Sequence, residues 1–144
     1  MLVRDFMTAD VATIHVDKKL IAAHEIMESK NVRHVPVLDD HGALVGLISQ
    51  RDLLRASLSS AKDQITNMDR LQHLGTIEVR GVMRTDIQGV DPEATVQAAA
   101  RLMLSRKIGS LPVISGRKFV GIITDYDLLR VIAKLENSEP LRER

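Results

Sequence analysis

The sequence predicts an α+β protein made of two copies of one β-α-β-β-α unit, and three observations carry that expectation. Gly46-Leu-Ile-Ser-Gln-Arg-Asp-Leu-Leu-Arg55 returns as Gly121-Ile-Ile-Thr-Asp-Tyr-Asp-Leu-Leu-Arg130. Read from Leu44 and Phe119, seven of twelve aligned positions are identical, and only Gln50/Asp125 and Arg51/Tyr126 differ in kind. The copies are offset by 76 residues up to Pro36/Pro112 and by 75 after the next turn. So long a period indicates a duplicated domain rather than a solenoid. Strand-like and helix-like apolar patterns also follow one another in the same order in both halves. The division is residues 1–57, a connector over 58–76, residues 77–135, and a charged tail over 136–144 that carries Pro140 and reads as frayed.

The elements follow in order. Val3-Arg-Asp-Phe-Met7 and Val79-Arg-Gly-Val-Met83 are matching lead segments. Residues 12–16 are rich in β-branched side chains and read as a strand. A helix is expected over 19–30, where Leu20, Ala23, His24 and Met27 share one face; Val96, Ala99, Ala100 and Met103 repeat the spacing. Thr95 is a natural N-cap for the second helix, whereas the first has Lys19 in that place. Residues 35–38 and 111–114 are short apolar strands, each containing a Pro that restricts how it pairs. Turns at 39–42 and 115–118 lead to strands over 43–49 and 118–124, close enough for antiparallel hairpins. Helices over 52–57 and 127–135 close the units. Ile65, Met68, Leu71 and Leu74 give the connector a helical stepping.

Composition excludes several functions. Twenty basic and nineteen acidic residues leave a net charge of +1, no electrostatic footprint for nucleic acid or an anionic membrane. Two Phe, one Tyr and no Trp provide no platforms for stacking bases. Without Cys there is no disulfide, zinc-thiolate site or thiol catalysis. No apolar run reaches the roughly 18 residues that span a bilayer, and charges at Arg4, Asp5 and Asp10 interrupt any signal-peptide core. A cytoplasmic protein is expected. No nucleophile elbow or Walker loop is present, so the protein is not read as an enzyme. The five histidines are scattered and read as packing residues, and Met27 and Met103 as core.

The duplicated unit, the Val35-Pro-Val37 and Leu111-Pro-Val113 strands, and the Gly-apolar-apolar-Ser/Thr-x-x-Asp-Leu-Leu stretch together resemble a tandem pair of CBS (cystathionine-β-synthase) domains, a Bateman module. The likeness covers nearly the whole chain. With nothing appended, it is similar to the stand-alone bacterial or archaeal type. The resemblance implies two three-stranded sheets packed face to face about a pseudo-twofold axis. It implies clefts between them for AMP, ADP, ATP or S-adenosylmethionine, with Mg²⁺ accompanying ATP, and no tightly bound cofactor. It further implies a flat homodimer that reports to a regulated partner protein.

The Ser49-x-x-Asp52 and Thr124-x-x-Asp127 pairs admit two readings. A hydroxyl followed three residues later by an acid is the capping-box pattern, which only starts a helix. The same place exposes amides and a partial positive charge suited to phosphate, and an ionised carboxylate can accept from two ribose hydroxyls. Capping boxes favour Glu or Gln at the third position, and both copies have the shorter Asp. By the resemblance, Asp52 and Asp127 contact ribose, and Ser49 and Thr124 contact phosphate or ribose. Arg51, Arg33 and His34 give the first copy a cationic surround that suits a di- or triphosphate, unless they are only solvated. In the second copy Asp125 would repel phosphate if it pointed inward. Tyr126 would shield a base or cover the helix start, with Lys107 and Ser110 in the loop before Pro112. The resemblance places the base slot at Thr8, Asp10, Ala12 and Ile14, at Thr85 and Ile87 in copy two, and at the Pro36 or Pro112 strand. Plain core packing is the stronger reading for any one of these residues taken alone. The alternative function is a ligand-free structural or protein-interaction dimer.

Overall fold

In a computed structural model the described residues are 1–58 and 67–135. Ile65 of the connector and the tail from Glu136 lie outside them. The chain divides into two compact units, one holding residues 1–10 with the described residues from Gln88 onward, the other the described residues between Val11 and Ile87.

The unit from Val11 to Ile87 contains β1 (Ile14–His15), α1 (Leu20–Lys30), β2 (His34–Leu38), β3 (Leu44–Ser49), α2 (Gln50–Leu58), α3 (Asn67–Leu74) and a 3₁₀ turn at Val79–Gly81. Its sheet runs β1-β2-β3, with β1 parallel to β2 and β2 antiparallel to β3. The other unit contains a 3₁₀ turn at Val3–Asp5, α4 (Val96–Arg106), β4 (Ser110–Ser115), β5 (Lys118–Thr124) and α5 (Asp125–Leu135). Its sheet has two strands, antiparallel β4 and β5. Where the first unit has the β1–β2 pair, this one has a single parallel bridge, Val90 to Val113. The strand expected over 12–16 is thus two residues long in one copy and a bridge in the other.

The helices begin as their caps dictate. Thr95 Oγ1 accepts the Ala98 amide and starts α4. Lys19 makes no side-chain cap; the Leu20 amide donates instead to the Ile77 carbonyl, and Lys19 pairs with Glu78. α1 and α4 both end on a left-handed residue, Asn31 and Lys107. The hairpin between β4 and β5 has two loop residues. A positive φ at the first, Gly116, meets the requirement of a type II′ turn.

Pro36 and Pro112 are fully buried although Pro lacks the ladder donor. The Val90 amide donates to the Pro112 carbonyl, and Ile114 donates back to Val90. The Pro nitrogen therefore faces the side where the neighbouring strand has only just begun, and no ladder bond is lost.

The lead segments cross over. Residues 2–8 belong with the second repeat's elements: Val3 N–H donates to Ala94 O, Val96 N–H to Met1 O, and Thr8 exchanges both backbone bonds with Ile122 on β5. Residues 77–84 do the same for the first repeat, with Val79 N–H donating to Lys18 O and Arg84 exchanging both bonds with Leu47 on β3. Val3 and Val79 are both fully buried and complete the two cores. Full burial of such a side chain is worth about 1.5 kcal/mol or more.

This exchange explains the repeated glycine. A Cβ at Gly121 would lie 2.6 Å from the Thr8 carbonyl oxygen, and one at Gly46 would lie 2.4 Å from Met83 Sδ. A backbone carbonyl held in a ladder cannot yield, whereas a methionine side chain can rotate away. Gly121→Ala is therefore expected to destabilise by about 1–3 kcal/mol and Gly46→Ala by less. Equal urea midpoint shifts for the two variants would contradict this packing.

The turn after β2 is held by Asp39, whose Oδ1 accepts the amides of His41 (2.8 Å) and Ala43 (3.0 Å). The Ala43 bond, aided by that of His41 and by the nearby imidazoles, holds the Asp39 carboxyl below its ordinary value of 3.8. A depressed acid stabilises the fold above its unfolded pKa, and that contribution is lost as pH falls through the folded value. The stability difference between the protein and Asp39→Ala should be full at neutral pH and vanish in acid, as urea titrations across pH would show.

Candidate functional site

The two Ser/Thr-x-x-Asp motifs sit where β3 runs into α2 and β5 into α5. Both are complete capping boxes. Ser49 N–H donates to Asp52 Oδ2 at 2.8 Å, and Asp52 N–H donates to Ser49 Oγ at 3.1 Å. Thr124 N–H donates to Asp127 Oδ2 at 2.9 Å, and Asp127 N–H to Thr124 Oγ1 at 3.3 Å. The helices accordingly start at Gln50 and Asp125, two residues earlier than periodicity suggested. In each copy one carboxylate oxygen serves the cap and Oδ1 lies outside it. Arg130 approaches Asp127 Oδ1 at 3.8 Å.

The copies differ in access. Asp52 is half-buried, while Asp127 is only 5% exposed. Gln50 N–H donates to Arg33 O, and Asp125 N–H donates to Gly109 O, so the loops before β2 and β4 are tied to the helix starts. Arg33 and Arg51 have exposed side chains, as do Lys107 and Tyr126. Tyr126 is 67% exposed.

The remaining predicted residues divide by unit. Ala12, Ile14, His34, Pro36, Thr85 and Ile87 fall with Ser49 and Asp52; Thr8, Asp10, Ser110 and Pro112 fall with Thr124 and Asp127. The lead-segment residues thus accompany the motif of the other repeat. Ile14 and Pro36 are buried, as are Ser110 and Pro112, while Thr8, Asp10 and Thr85 are exposed.

Sequence reading missed a polar cluster around His15. Its Nδ1 accepts the Asp17 amide at 3.1 Å, and its Nε2 lies 2.6 Å from Asp40 Oδ1. Asp17 also pairs with Arg80. With Nδ1 accepting, the proton is on Nε2 and is shared with Asp40, so both ring nitrogens are committed to the fold. The spatial neighbours lie 25 and 65 residues away from His15 in sequence, which is why spacing alone gave no signal. Nearby, a groove of roughly 440 Å³ is lined by Thr13, Ile14, His15, Lys18, Ala22, Glu25, Ile26 and Ser29.

The profile of the CBS domain family matches residues 3–59 and again 79–134. The chain belongs to the CBS domain family. CBS domain pairs are regulatory modules rather than catalytic ones. Three solved CBS proteins are similar to this chain. A Vibrio cholerae protein ascribed to acetoin utilization (AcuB) is 36% identical, with 97% of this chain and 98% of that one covered and a TM-score of 0.78. CBSX2, solved with AMP, is 29% identical over 94% and 99% of the two chains, TM-score 0.79. The CBS domain pair of protein MJ0100, solved with 5′-methylthioadenosine and S-adenosyl-L-methionine, is 25% identical over 93% and 97%, TM-score 0.78. No helix among the described residues is long and apolar enough to cross a membrane.

As caps, Asp52 and Asp127 stabilise whatever else they do. Asp52→Ala and Asp127→Ala should each cost about 1 kcal/mol in denaturant unfolding, Asp127→Ala the more because its acid is buried. Unchanged midpoints in both variants would show that the caps contribute nothing.

Proposed function

We propose that this CBS domain pair is a regulatory module that senses an adenosine-containing ligand, AMP, ADP, ATP or S-adenosylmethionine, and passes the bound state to a partner protein. The observation that carries this reading is that two CBS pairs, alike over more than nine-tenths of this chain, were solved with adenosyl ligands. The half-site chemistry supports the reading. Asp52 keeps Oδ1 outside its cap for ribose hydroxyls; Ser49, Arg51, Arg33 and His34 would take the phosphates, and Ala12, Ile14, Pro36, Thr85 and Ile87 would frame a base. Asp127 and Thr124 are the counterparts, with Tyr126, Lys107, Ser110, Pro112, Thr8 and Asp10. Mg²⁺ would accompany ATP through the phosphates. For sensing, the ligand must bind two arrangements of the protein with different affinity.

The module acts as a homodimer in the cytoplasm. Tyr126, Leu129 and Ile132 on α5 are 58–67% exposed, and Leu54 and Leu58 on α2 are 54% and 47% exposed. Apolar faces of this kind favour burial against a second copy.

A second reading is a protein-interaction module without nucleotide. It is favoured by one observation: both acids already have a structural role as helix caps, which accounts for their repetition without a ligand. Ligand binding separates the two. An adenosyl ligand at about 100 times its dissociation constant adds about 2.7 kcal/mol, which should raise the unfolding midpoint by roughly 5–10 °C. Asp52→Ala should then weaken binding by about tenfold to several hundredfold, beyond its effect on stability. No shift with any adenosyl ligand at millimolar concentration would favour the interaction module.

A further inference from the structure

The two helix starts hold different amounts of negative charge, and the difference comes from one residue. On α5 the first three amides are all taken. Asp125 N–H donates to Gly109 O at 2.9 Å, Tyr126 N–H to Asp125 Oδ1 at 2.8 Å, and Asp127 N–H to Thr124 Oγ1 at 3.3 Å. The Asp125 carboxylate therefore occupies the amide that a phosphate oxygen would use. Its other oxygen lies over the loop, 3.0 Å from where a Cβ on Gly109 would stand. The Thr124 hydroxyl is spent as well, because it donates to Asp127 Oδ2 at 3.1 Å.

On α2 the corresponding residue is neutral Gln50. The Gln50 and Asp52 amides are taken as on α5, by Arg33 O and Ser49 Oγ. Among the described residues, no side chain accepts the Arg51 amide, and the Ser49 hydroxyl proton is not given to Asp52. Exposed Arg33 and Arg51 add positive charge to this start.

We propose that Asp125 is a specificity-determining residue: its carboxylate, seated on the Tyr126 amide, makes the Thr124–Asp127 half-site refuse 5′-phosphorylated adenosyl ligands, which bind at the Ser49–Asp52 half-site only. The inference rests on the adenosyl-binding reading above. In a ribose held by the acid of the motif, the 5′ carbon is two bonds from the 3′ carbon. Its substituent therefore lies over the same helix start and meets whatever charge that start carries. A phosphate there meets the Asp125 and Asp127 carboxylates and a filled amide on α5, with Arg130 3.8 Å from Asp127 Oδ1 as the nearby cation. On α2 it meets one carboxylate, that of Asp52, together with an open amide and a hydroxyl donor, and Arg33 and Arg51 are exposed and adjoin this start in sequence. Like charges a few ångströms apart repel, and with the amide already filled this should weaken phosphate binding on α5 by about tenfold or more relative to α2.

The test is calorimetric titration of the full chain with AMP. One equivalent per chain is expected, abolished or weakened at least tenfold by Asp52→Ala and unmoved by Asp127→Ala. Asp125→Gln, which installs the residue of the other copy, should add a second equivalent that Asp127→Ala removes. Asp125→Asn, nearly the same shape without the charge, repeats the measurement should the Gln variant fold poorly. Two equivalents in the unsubstituted protein, or one that depends on Asp127, would overturn the inference while leaving the adenosyl reading intact. So would an unchanged single equivalent in both Asp125 variants. No heat from AMP, with no thermal shift from any adenosyl ligand, would overturn the adenosyl reading and this inference with it.

Discussion

The crossing of the lead segments is the constraint on which the rest of the structure depends. Neither repeat contains its own complete core. The second repeat's sheet is finished by Thr8, and its helix start is tied to Met1 and Val3. The first repeat's sheet is finished by Arg84, and its helix start is tied to Ile77 and Val79. Each unit therefore contains chain from both repeats. Gly46 and Gly121 remain glycine because the exchanged segment passes directly over them, with Met83 and Thr8 in the space a side chain would fill.

Much of this was legible in the sequence, because each legible feature has a local cause. The hairpins followed from turn residues and strand length, and Thr95 and Lys19 were correctly distinguished as a cap and a non-cap. Met27 and Met103 are core, as their shared helical position required. What could not be read was which copy each lead segment serves. Two similar segments facing two similar sheets satisfy the same pattern either way, and only the three-dimensional path of the chain decides. The His15 cluster was hidden for the same reason, since Asp40 and Arg80 reach it from distant turns.

The duplicated motif shows why the capping and binding readings did not exclude each other. A helix cap needs one carboxylate oxygen and one hydroxyl lone pair. A carboxylate has a second oxygen, and a serine hydroxyl still has its proton. Asp52 and Ser49 satisfy α2 with half of their hydrogen-bonding capacity and keep the other half. The short Asp brings the acid close enough to cap without extending beyond the helix start, so the same residue fixes the local backbone and presents a rigid acceptor. A longer Glu would cap equally well but with more rotamer freedom to lose.

Duplication supplied two such starts, and the substitutions that separate them lie between the hydroxyl and the acid. Gln50 and Arg51 leave α2 with its partial positive charge reinforced, whereas Asp125 neutralises that of α5 from within. Nothing in the fold demands this difference, since the backbone bonds from Gln50 to Arg33 and from Asp125 to Gly109 are the same in both copies. The scaffold is held by what the copies share, namely the glycine, the cap and the crossed lead segment. Positions that the scaffold leaves unconstrained are where two otherwise equivalent half-sites can come to prefer different charges.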